Sequence, residues 1–264
     1  MKKAVFFDID GTLIDGLEGL TQITPKVLQA IRRLQQDGHY VFIATGRPYA
    51  FLNEEILSFG FDGYILANGA QVMIKDEIIY KEALDQSFVK EMVALFEERG
   101  IQYMLQSDKY SYMKDHFEEF YQFFDSVGVS RDYLVGKYTL EEVETQKIEM
   151  LCPNDEALDY CISLVGKHPD YDYSHSISLR MFELYSKKNN KATGIFKALE
   201  HLGIPVERSY AFGDGKNDIE MLSAVGCGIA MGNASDEVKL YANQVTGSVL
   251  EDGVATGIEK YILI

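Results

Sequence analysis

The chain has 264 residues, of which 47% are hydrophobic, and this is enough apolar material to fill two packed domains. Its 41 acidic and 25 basic side chains give a formal net charge of −16 at pH 7, which disfavours binding to nucleic acid phosphates or acidic membrane surfaces. The 3 cysteines show no C-x-x-C spacing, and no apolar run approaches the roughly 18 residues of a membrane-spanning helix. We therefore expect a globular cytoplasmic protein without nucleic acid or membrane partners.

The first 80 residues predict alternating strands and helices, which is typical of a parallel sheet with right-handed crossovers. The expected order is a strand from residue 4, a helix over 25–36, a strand over 40–45, a helix opened by Pro48, a strand over 64–68 and a hairpin over 71–80.

The middle of the chain has a different pattern, with helices and strands that do not alternate regularly. We expect helices over 87–100, 116–124 and 155–166, a hairpin over 101–113, and strands over 146–151 and 177–186. This pattern predicts an inserted α+β cap domain at 83–187. From Asn190 the strand and helix alternation resumes, so 1–82 and 188–264 together predict a Rossmann-like α/β core.

Two aspartates follow the first buried strand, in the sequence AVFFDIDGTL. Side chains two residues apart in an extended segment point the same way, so Asp8 and Asp10 are expected to face one space. A carboxylate is ionised at pH 7 and can attack phosphorus without a separate base. A second acid beside it can protonate the leaving oxygen and later activate water.

Asp10-Gly11 between apolar residues is equally typical of a hairpin turn, in which Thr12 to Ile14 would begin a second strand. The other polar motifs of the chain favour the first interpretation. They also follow predicted strands, and in open α/β sheets ligands bind where the strands end.

The further motifs are Thr45-Gly46, the region of Lys191, and the acidic turn from Gly213 to Asp218. Thr45 and Gly46 could hydrogen-bond a phosphoryl oxygen, although Thr-Gly is also ordinary turn chemistry. Lys191 could neutralise charge on a phosphoryl group, with Lys187, Lys188 and Lys197 as nearby alternatives. Asn68 ends a core strand and fits either a substrate contact or a simple turn.

Carboxylates brought together at one sheet edge require a cation. A pair of them about 4 Å apart repels by about 4 kcal/mol at an effective dielectric constant of 20. Oxygen ligands with room left for water favour Mg²⁺ over zinc or copper. Asp8, Asp10, Asp214 and Asp218 are the candidate members of such a cluster.

With FFDIDGTL, ATGRP, the Lys191 region, GDGKNDIEML and GIAMGNA in this order, the sequence resembles the haloacid dehalogenase superfamily, specifically its Cof-type phosphatases with a large α/β cap. The resemblance covers nearly the whole chain. It implies a Mg²⁺-dependent phosphatase that acts on small phosphorylated metabolites, such as sugar phosphates or phosphorylated cofactors, through an aspartyl-phosphate.

The resemblance also implies a role for each site residue. Asp8 would be the nucleophile and Asp10 the acid and base, and both would bind Mg²⁺ together with Asp214. The remaining residues would contact phosphate or support those that do: Ile9 through its backbone, Thr45, Gly46, Lys191 and Asn217, with Asp218 orienting the lysine or a metal-bound water. The chain departs from the usual family pattern around the lysine, with Ala192 in place of Gly.

Two alternative functions fit the same motifs. One is a phosphomutase or phosphotransferase on this scaffold, and the other is a non-catalytic sensor of phosphorylated ligands. The presence of Asp10 disfavours the sensor, because binding alone does not need a group that transfers protons.

Overall fold

The computed structural model describes residues 1–263, and these divide into two compact units. The core unit comprises Met1–Gly46, Glu55–Tyr80 and the described residues from Asn190 onward, and the cap unit comprises Arg47–Glu54 and Lys81–Asn189. Over residues 1–263, no helix has both the length and the apolar character needed to cross a bilayer.

The strands and helices are numbered here in chain order. The strands are β1 (Ala4–Phe7), β2 (Tyr40–Ala44), β3 (Gly63–Leu66), β4 (Gln71–Ile74), β5 (Glu77–Lys81), β6 (Gln102–Gln106), β7 (Ser111–Tyr112), β8 (Leu134–Val135), β9 (Lys147–Leu151), β10 (Tyr171–Ser176), β11 (Met181–Ser186), β12 (Ser209–Gly213), β13 (Cys227–Ala230) and β14 (Gln244–Val245). The helices are α1 (Pro25–Gln36), α2 (Glu54–Phe59), α3 (Gln86–Glu98), α4 (Glu118–Ser126), α5 (Asp155–Val165), α6 (Lys191–Leu202), α7 (Ile219–Ala224), α8 (Asp236–Lys239) and α9 (Gly253–Tyr261).

The core unit is built on one sheet with the strand order β14-β13-β12-β1-β2-β3-β4-β5. Neighbouring strands from β14 to β3 are parallel, and β4 runs antiparallel to β3. All four residues of β1 are fully buried, as expected for a central parallel strand covered on both faces. The carboxyl ends of β12, β1 and β2 therefore lie side by side at one edge of the sheet.

Helix α6 packs on this sheet through Ile195, Ala198 and Leu199, which share a core with Phe6 and Phe42. Its first turn is held by a capping box: the Asn190 side chain accepts a hydrogen bond from the Thr193 backbone N–H, and the Thr193 hydroxyl accepts one from the Asn190 N–H. The start of α6 is thereby fixed at Lys191.

The cap unit contains a second sheet with the order β10-β11-β9-β6-β7-β8. Its pairs are antiparallel except for β7 and β8. The inward-facing residues of the sheet form a continuous apolar core with α3 and α5. Members of this core include Tyr103, Leu105, Ile148, Met150, Phe182, Leu184, Val89, Met92, Phe96, Leu158 and Cys161.

Two details differ from the sequence-based expectation. The helix expected to open at Pro48 begins instead at Glu54, because Pro48 is extended and a short 3₁₀ turn follows it at Tyr49–Phe51. The strand expected over 177–186 is β11 alone, and residues 177–180 form a turn in which Arg180 has φ 52°. That turn joins β11 to β10, an edge strand whose polar sequence gave no clear strand signal.

Candidate active site

Three polar segments meet at the carboxyl edge of the core sheet. Asp8 follows β1, Thr45 follows β2, and Asp214 follows β12, and these three strands are adjacent. The Asp8 backbone N–H donates a hydrogen bond to the carbonyl of Phe212 at 3.0 Å, which extends the pairing of β1 with β12 up to the site.

Residues after Asp10 do not form the hairpin considered from the sequence. The backbone N–H groups of Leu13 and Ile14 both donate to the carbonyl oxygen of Ile9, at 2.9 and 3.0 Å. The segment is therefore a tight loop and not a second strand, and Ile9 is completely buried.

Lys191 lies between two aspartates. Its Nζ atom is 2.5 Å from Asp8 Oδ1 and 2.6 Å from Asp218 Oδ1, and the lysine is 0% exposed. The alternatives Lys187, Lys188 and Lys197 are all exposed. A fully buried lysine requires compensating negative charge, and the two carboxylates supply it.

Asp218 connects this lysine to the acidic turn after β12. Its Oδ2 atom accepts hydrogen bonds from the backbone N–H groups of Asp214 and Gly215, both at 2.9 Å. Its Oδ1 atom accepts the hydrogen bond from Lys191. One fully buried carboxylate thus fixes the shape of the turn and the position of the ammonium group.

Asp214 is held from the other side by the loop after β1. The Thr12 hydroxyl donates to Asp214 Oδ1 at 3.0 Å. Gly11 has φ +83°, and a Cβ atom on it would overlap the Asp214 carboxylate, so only glycine allows this close approach. The Asn233 side chain donates to the Gly11 carbonyl at 2.8 Å. The sequence analysis assigned no role to Thr12 or Asn233, although both lie within its motifs DGTL and MGNA.

The electrostatic environment raises the pKa of two of these carboxyl groups. Burial, and then the charge of Asp218, raises the pKa of Asp8 well above its usual value, against the opposing effect of Lys191. Burial raises the pKa of Asp214 to about 6, although the hydrogen bond from Thr12 lowers it. Burial lowers the pKa of Lys191, but Asp218 and Asp8 more than offset this and raise it on balance. The site therefore favours additional positive charge.

Asp8, Asp214 and Asp218 form a possible metal-binding group, because each offers a carboxylate oxygen within 4.8 Å of the others. In the described hydrogen bonds, Asp8 and Asp214 each accept through Oδ1, and the Oδ2 atoms of these two residues accept none. The side chain of Asp10, one of the three predicted ligands, is exposed and is not part of this group. A set of carboxylate oxygens suits a hard divalent cation.

Asn68 lies beside Gly46 and contacts Asn217, two of the residues predicted to bind phosphate. The Asn217 Nδ2 atom donates to Asn68 Oδ1 at 3.2 Å, and the Asn68 N–H donates to the Thr45 carbonyl at 3.1 Å. A Cβ atom on Gly46 would lie 3.1 Å from Asn68 Oδ1. Asn68 adopts the left-handed conformation, with φ 54°, which asparagine tolerates better than most residues.

Gly69 continues this left-handed turn with φ +91°, and a Cβ atom on it would overlap the Asn190 carbonyl oxygen. We expect Gly69→Ala to lower the free energy of unfolding by at least about 2 kcal/mol more than Gly38→Ala, because backbone strain is then joined by a backbone clash. Gly38 is the matched control, since it has φ +81° with nothing within 4 Å of the added Cβ. Urea unfolding of both variants measures the difference, and equal losses would contradict the predicted clash.

Comparison with known proteins identifies the family of this chain. The profile of the haloacid dehalogenase-like hydrolases matches residues 5–258. The chain is similar to the 5-amino-6-(5-phospho-D-ribitylamino)uracil phosphatase YitU of Bacillus subtilis (strain 168), with 32% identity over 276 residues that cover 97% of this chain and 96% of YitU.

Solved structures are similar over the whole chain. The sugar phosphatase BT4131, described as HAD subclass IIB, has a TM-score of 0.81 and 30% identity, and the match covers 99% of this chain and 100% of that one. A protein from Geobacillus kaustophilus HTA426 has a TM-score of 0.86 and 32% identity, with 100% of both chains covered. The chain therefore belongs to the haloacid dehalogenase-like hydrolases, in the branch of Cof-type phosphatases with a core and an α/β cap.

Proposed function

We propose that this protein is a Mg²⁺-dependent phosphatase that hydrolyses small phosphomonoesters through an aspartyl-phosphate on Asp8. The observation that carries the proposal is the fully buried Lys191, paired with Asp8 and Asp218 at the carboxyl edge of the sheet. A cation held against a carboxylate favours the ionised form of that carboxylate against the effect of burial, and it also attracts the phosphoryl group of a substrate.

The reaction consists of two displacements at phosphorus. An Asp8 oxygen bonds to phosphorus as the bond to the ester oxygen breaks, and protonated Asp10 gives its proton to that oxygen, so that an alcohol leaves. Asp10 then takes a proton from a water molecule whose oxygen attacks phosphorus. The bond to Asp8 breaks, inorganic phosphate is released and both aspartates return to their starting states.

The remaining site residues bind and orient the phosphoryl group. Lys191 would face the negative charge on the phosphoryl oxygens, and Asp218 keeps the lysine in place. Thr45, Gly46 and Asn217, with the backbone of Ile9, are proposed to donate hydrogen bonds to it. Because Asn68 contacts Asn217 directly, we propose that it orients that side chain.

The carboxylates of the site suit Mg²⁺, because this ion prefers hard oxygen ligands. Their negative charges also repel one another, and a bound cation would relieve that repulsion. Asp8 and Asp214 would hold the ion through their carboxylates, and Asp10, whose side chain lies outside this group, would complete the ligand set that the family resemblance implies. When bound, Mg²⁺ would offset their negative charge and polarise the phosphoryl oxygens.

Small sugar and polyol phosphates are the proposed substrates, as the names of the relatives YitU and BT4131 suggest. The test is phosphate release from sugar phosphates, polyol phosphates, nucleotides and pyridoxal phosphate. We expect at least one sugar or polyol phosphate to be hydrolysed, and removal of Mg²⁺ by chelation to lower the rate by about 100-fold or more.

Two results would contradict this proposal. Transfer of labelled phosphate to a second sugar, with little transfer to water, would show a mutase or phosphotransferase. Binding of phosphorylated ligands without turnover of any of them would show a sensor.

A further inference from the structure

The motif GIAMGNA runs from β13 into the turn that follows it, and the proposed reaction uses none of its residues. In the core sheet, β13 and β1 lie on opposite sides of β12. The Met231 N–H donates to the Gly213 carbonyl at 3.0 Å, which continues the contact of β13 with β12 up to the site. Asp214, at the end of β12, therefore has the loop after β1 on one side and the turn after β13 on the other.

Asn233 joins these two segments. Its Nδ2 atom donates to the Gly11 carbonyl at 2.8 Å, so a side chain that follows β13 is bonded to the loop that follows β1. Strands two places apart in a sheet are about 9.5 Å from each other. The two segments therefore bend toward each other over the end of β12, and the bond from Asn233 closes a bridge beside Asp214.

The Asn233 side chain is also fixed from its own side of the bridge. Its Oδ1 atom accepts a hydrogen bond from the N–H of buried Val249 at 2.9 Å. The neighbouring Gly232 N–H donates to the Gly247 carbonyl at 2.9 Å. With its oxygen and its nitrogen each bonded to a different backbone group, the amide of Asn233 has one favoured orientation, although the residue is exposed.

The loop that Asn233 holds contacts Asp214 through two successive residues. Gly11 approaches the Asp214 carboxylate so closely that a Cβ atom would overlap it, and the Thr12 hydroxyl donates to Asp214 Oδ1 at 3.0 Å. The same loop carries Asp10. A shift of this loop would therefore disturb the Asp214 carboxylate and change its distance from Asp10.

We propose that Asn233 is a positioning residue for the divalent cation of this site. It acts through Gly11 and Thr12, and it fixes the loop of Asp10 relative to Asp214. Residues that orient metal ligands without touching the ion typically contribute 10- to 100-fold to metal affinity. The inference rests on the proposed function in one respect, namely that Asp10 and Asp214 are ligands of the ion.

Asn233→Ala removes the bridge, and Asn243→Ala is the matched control. Asn243 is likewise an exposed asparagine of the core unit whose side chain bonds to backbone, since its Oδ1 atom accepts from the Gly228 N–H at 2.7 Å. That bond does not involve the loops beside Asp214. Both variants are expected to remain folded and to lower the midpoint of urea unfolding slightly.

The first measurement is the affinity for Mn²⁺, which favours the same oxygen ligands as Mg²⁺. Electron paramagnetic resonance reports the free ion during a titration of the full-length protein, and Mg²⁺ is then added as a competitor. We expect both ions to bind about tenfold more weakly to Asn233→Ala and to change by less than about twofold in Asn243→Ala. No binding to the wild-type protein, unchanged affinity in Asn233→Ala, or an equal loss in both variants would overturn the proposal.

A double variant tests the route through the loop. Thr12→Val removes the hydrogen bond to Asp214 and keeps the shape of the side chain. If Asn233 acts through this loop, Thr12→Val should weaken ion binding less in the Asn233→Ala background than in the wild-type protein. Fully additive losses would show that Asn233 does not act through Thr12 and would overturn the proposed route.

The second measurement is phosphate release as a function of Mg²⁺ concentration. The concentration that gives half the maximal rate should rise about tenfold in Asn233→Ala, whereas kcat at saturating Mg²⁺ should fall by a smaller factor. A lower kcat with an unchanged half-saturating concentration would contradict the inference. Weaker ion binding in Asn233→Ala without turnover by the wild-type protein would support the inference and overturn the phosphatase. Turnover with equal ion affinities would do the reverse.

Discussion

Asp8→Asn is expected to abolish phosphate release while leaving the protein folded and more resistant to heat. The amide has nearly the same shape as the carboxylate and can still accept a hydrogen bond from Lys191, but it cannot form the acyl-phosphate bond. We expect a loss of at least about 10³-fold in kcat, since the nucleophile itself is removed.

The expected gain in stability follows from the raised pKa of Asp8, which burial and the charge of Asp218 produce. A carboxyl group whose pKa is higher in the folded state stabilises the fold at low pH and loses that contribution as the pH rises through its folded-state pKa. At pH 7 the unfolded chain gains more free energy from ionisation of this group than the folded chain does, so the carboxyl group disfavours folding, and asparagine removes this effect. The difference in melting temperature between variant and wild type should be larger at pH 7 than at pH 4.

The measurements are single-turnover phosphate release in the presence of Mg²⁺ and, separately, thermal unfolding in the absence of divalent cations. Asp76→Asn is the control, because Asp76 is an exposed residue of the turn between β4 and β5 in the same unit. Wild-type rates in Asp8→Asn would remove Asp8 from the proposed mechanism. A lower melting temperature at pH 7 would show instead that the ion pair with Lys191 outweighs burial and repulsion.

The sequence predicted the core sheet well, because its strands are buried apolar runs that end in short polar motifs. The β1 run Ala4–Phe7 and the motif positions at Asp8, Thr45 and Asp214 require only local patterns and the rule that ligands bind at the strand ends. The residue pattern alone could not predict that Lys191 and Asp218 touch, since that contact depends on how α6 packs against the sheet. Only the family resemblance implied it, as one of two roles for Asp218.

The burial of polar side chains in the cap could not be predicted from its sequence. Its β9 sequence alternates polar and apolar residues, with Lys147 and Glu149 on one face and Ile148 and Met150 on the other. This alternation predicts a strand that is half exposed to water, yet Lys147 and Glu149 are buried. Only the cross-strand register reveals that Glu149 stands opposite Glu183.

Lys191→Met is expected to destabilise the core unit and to remove activity. The lysine is the buried cation between Asp8 and Asp218, and its loss leaves both carboxylates buried without their positive partner. Removing one member of a buried ion pair typically costs about 3–5 kcal/mol. Lys197→Met is the matched control, because Lys197 is an exposed lysine on the same helix and should change little.

A double variant separates the charge effect from the loss of packing. If uncompensated charge causes the loss, Lys191→Met combined with Asp218→Asn should recover part of the stability, because one of the two stranded carboxylates is then neutral. Activity should remain absent in the double variant, since the cation proposed to face the phosphoryl oxygens is still missing. Urea unfolding with and without Mg²⁺ provides the measurement, and the ion should narrow the deficit of the single variant by binding the unpaired carboxylates. Strictly additive losses would show that the buried aliphatic stem of Lys191, and not its charge, supports the fold at this edge of the sheet.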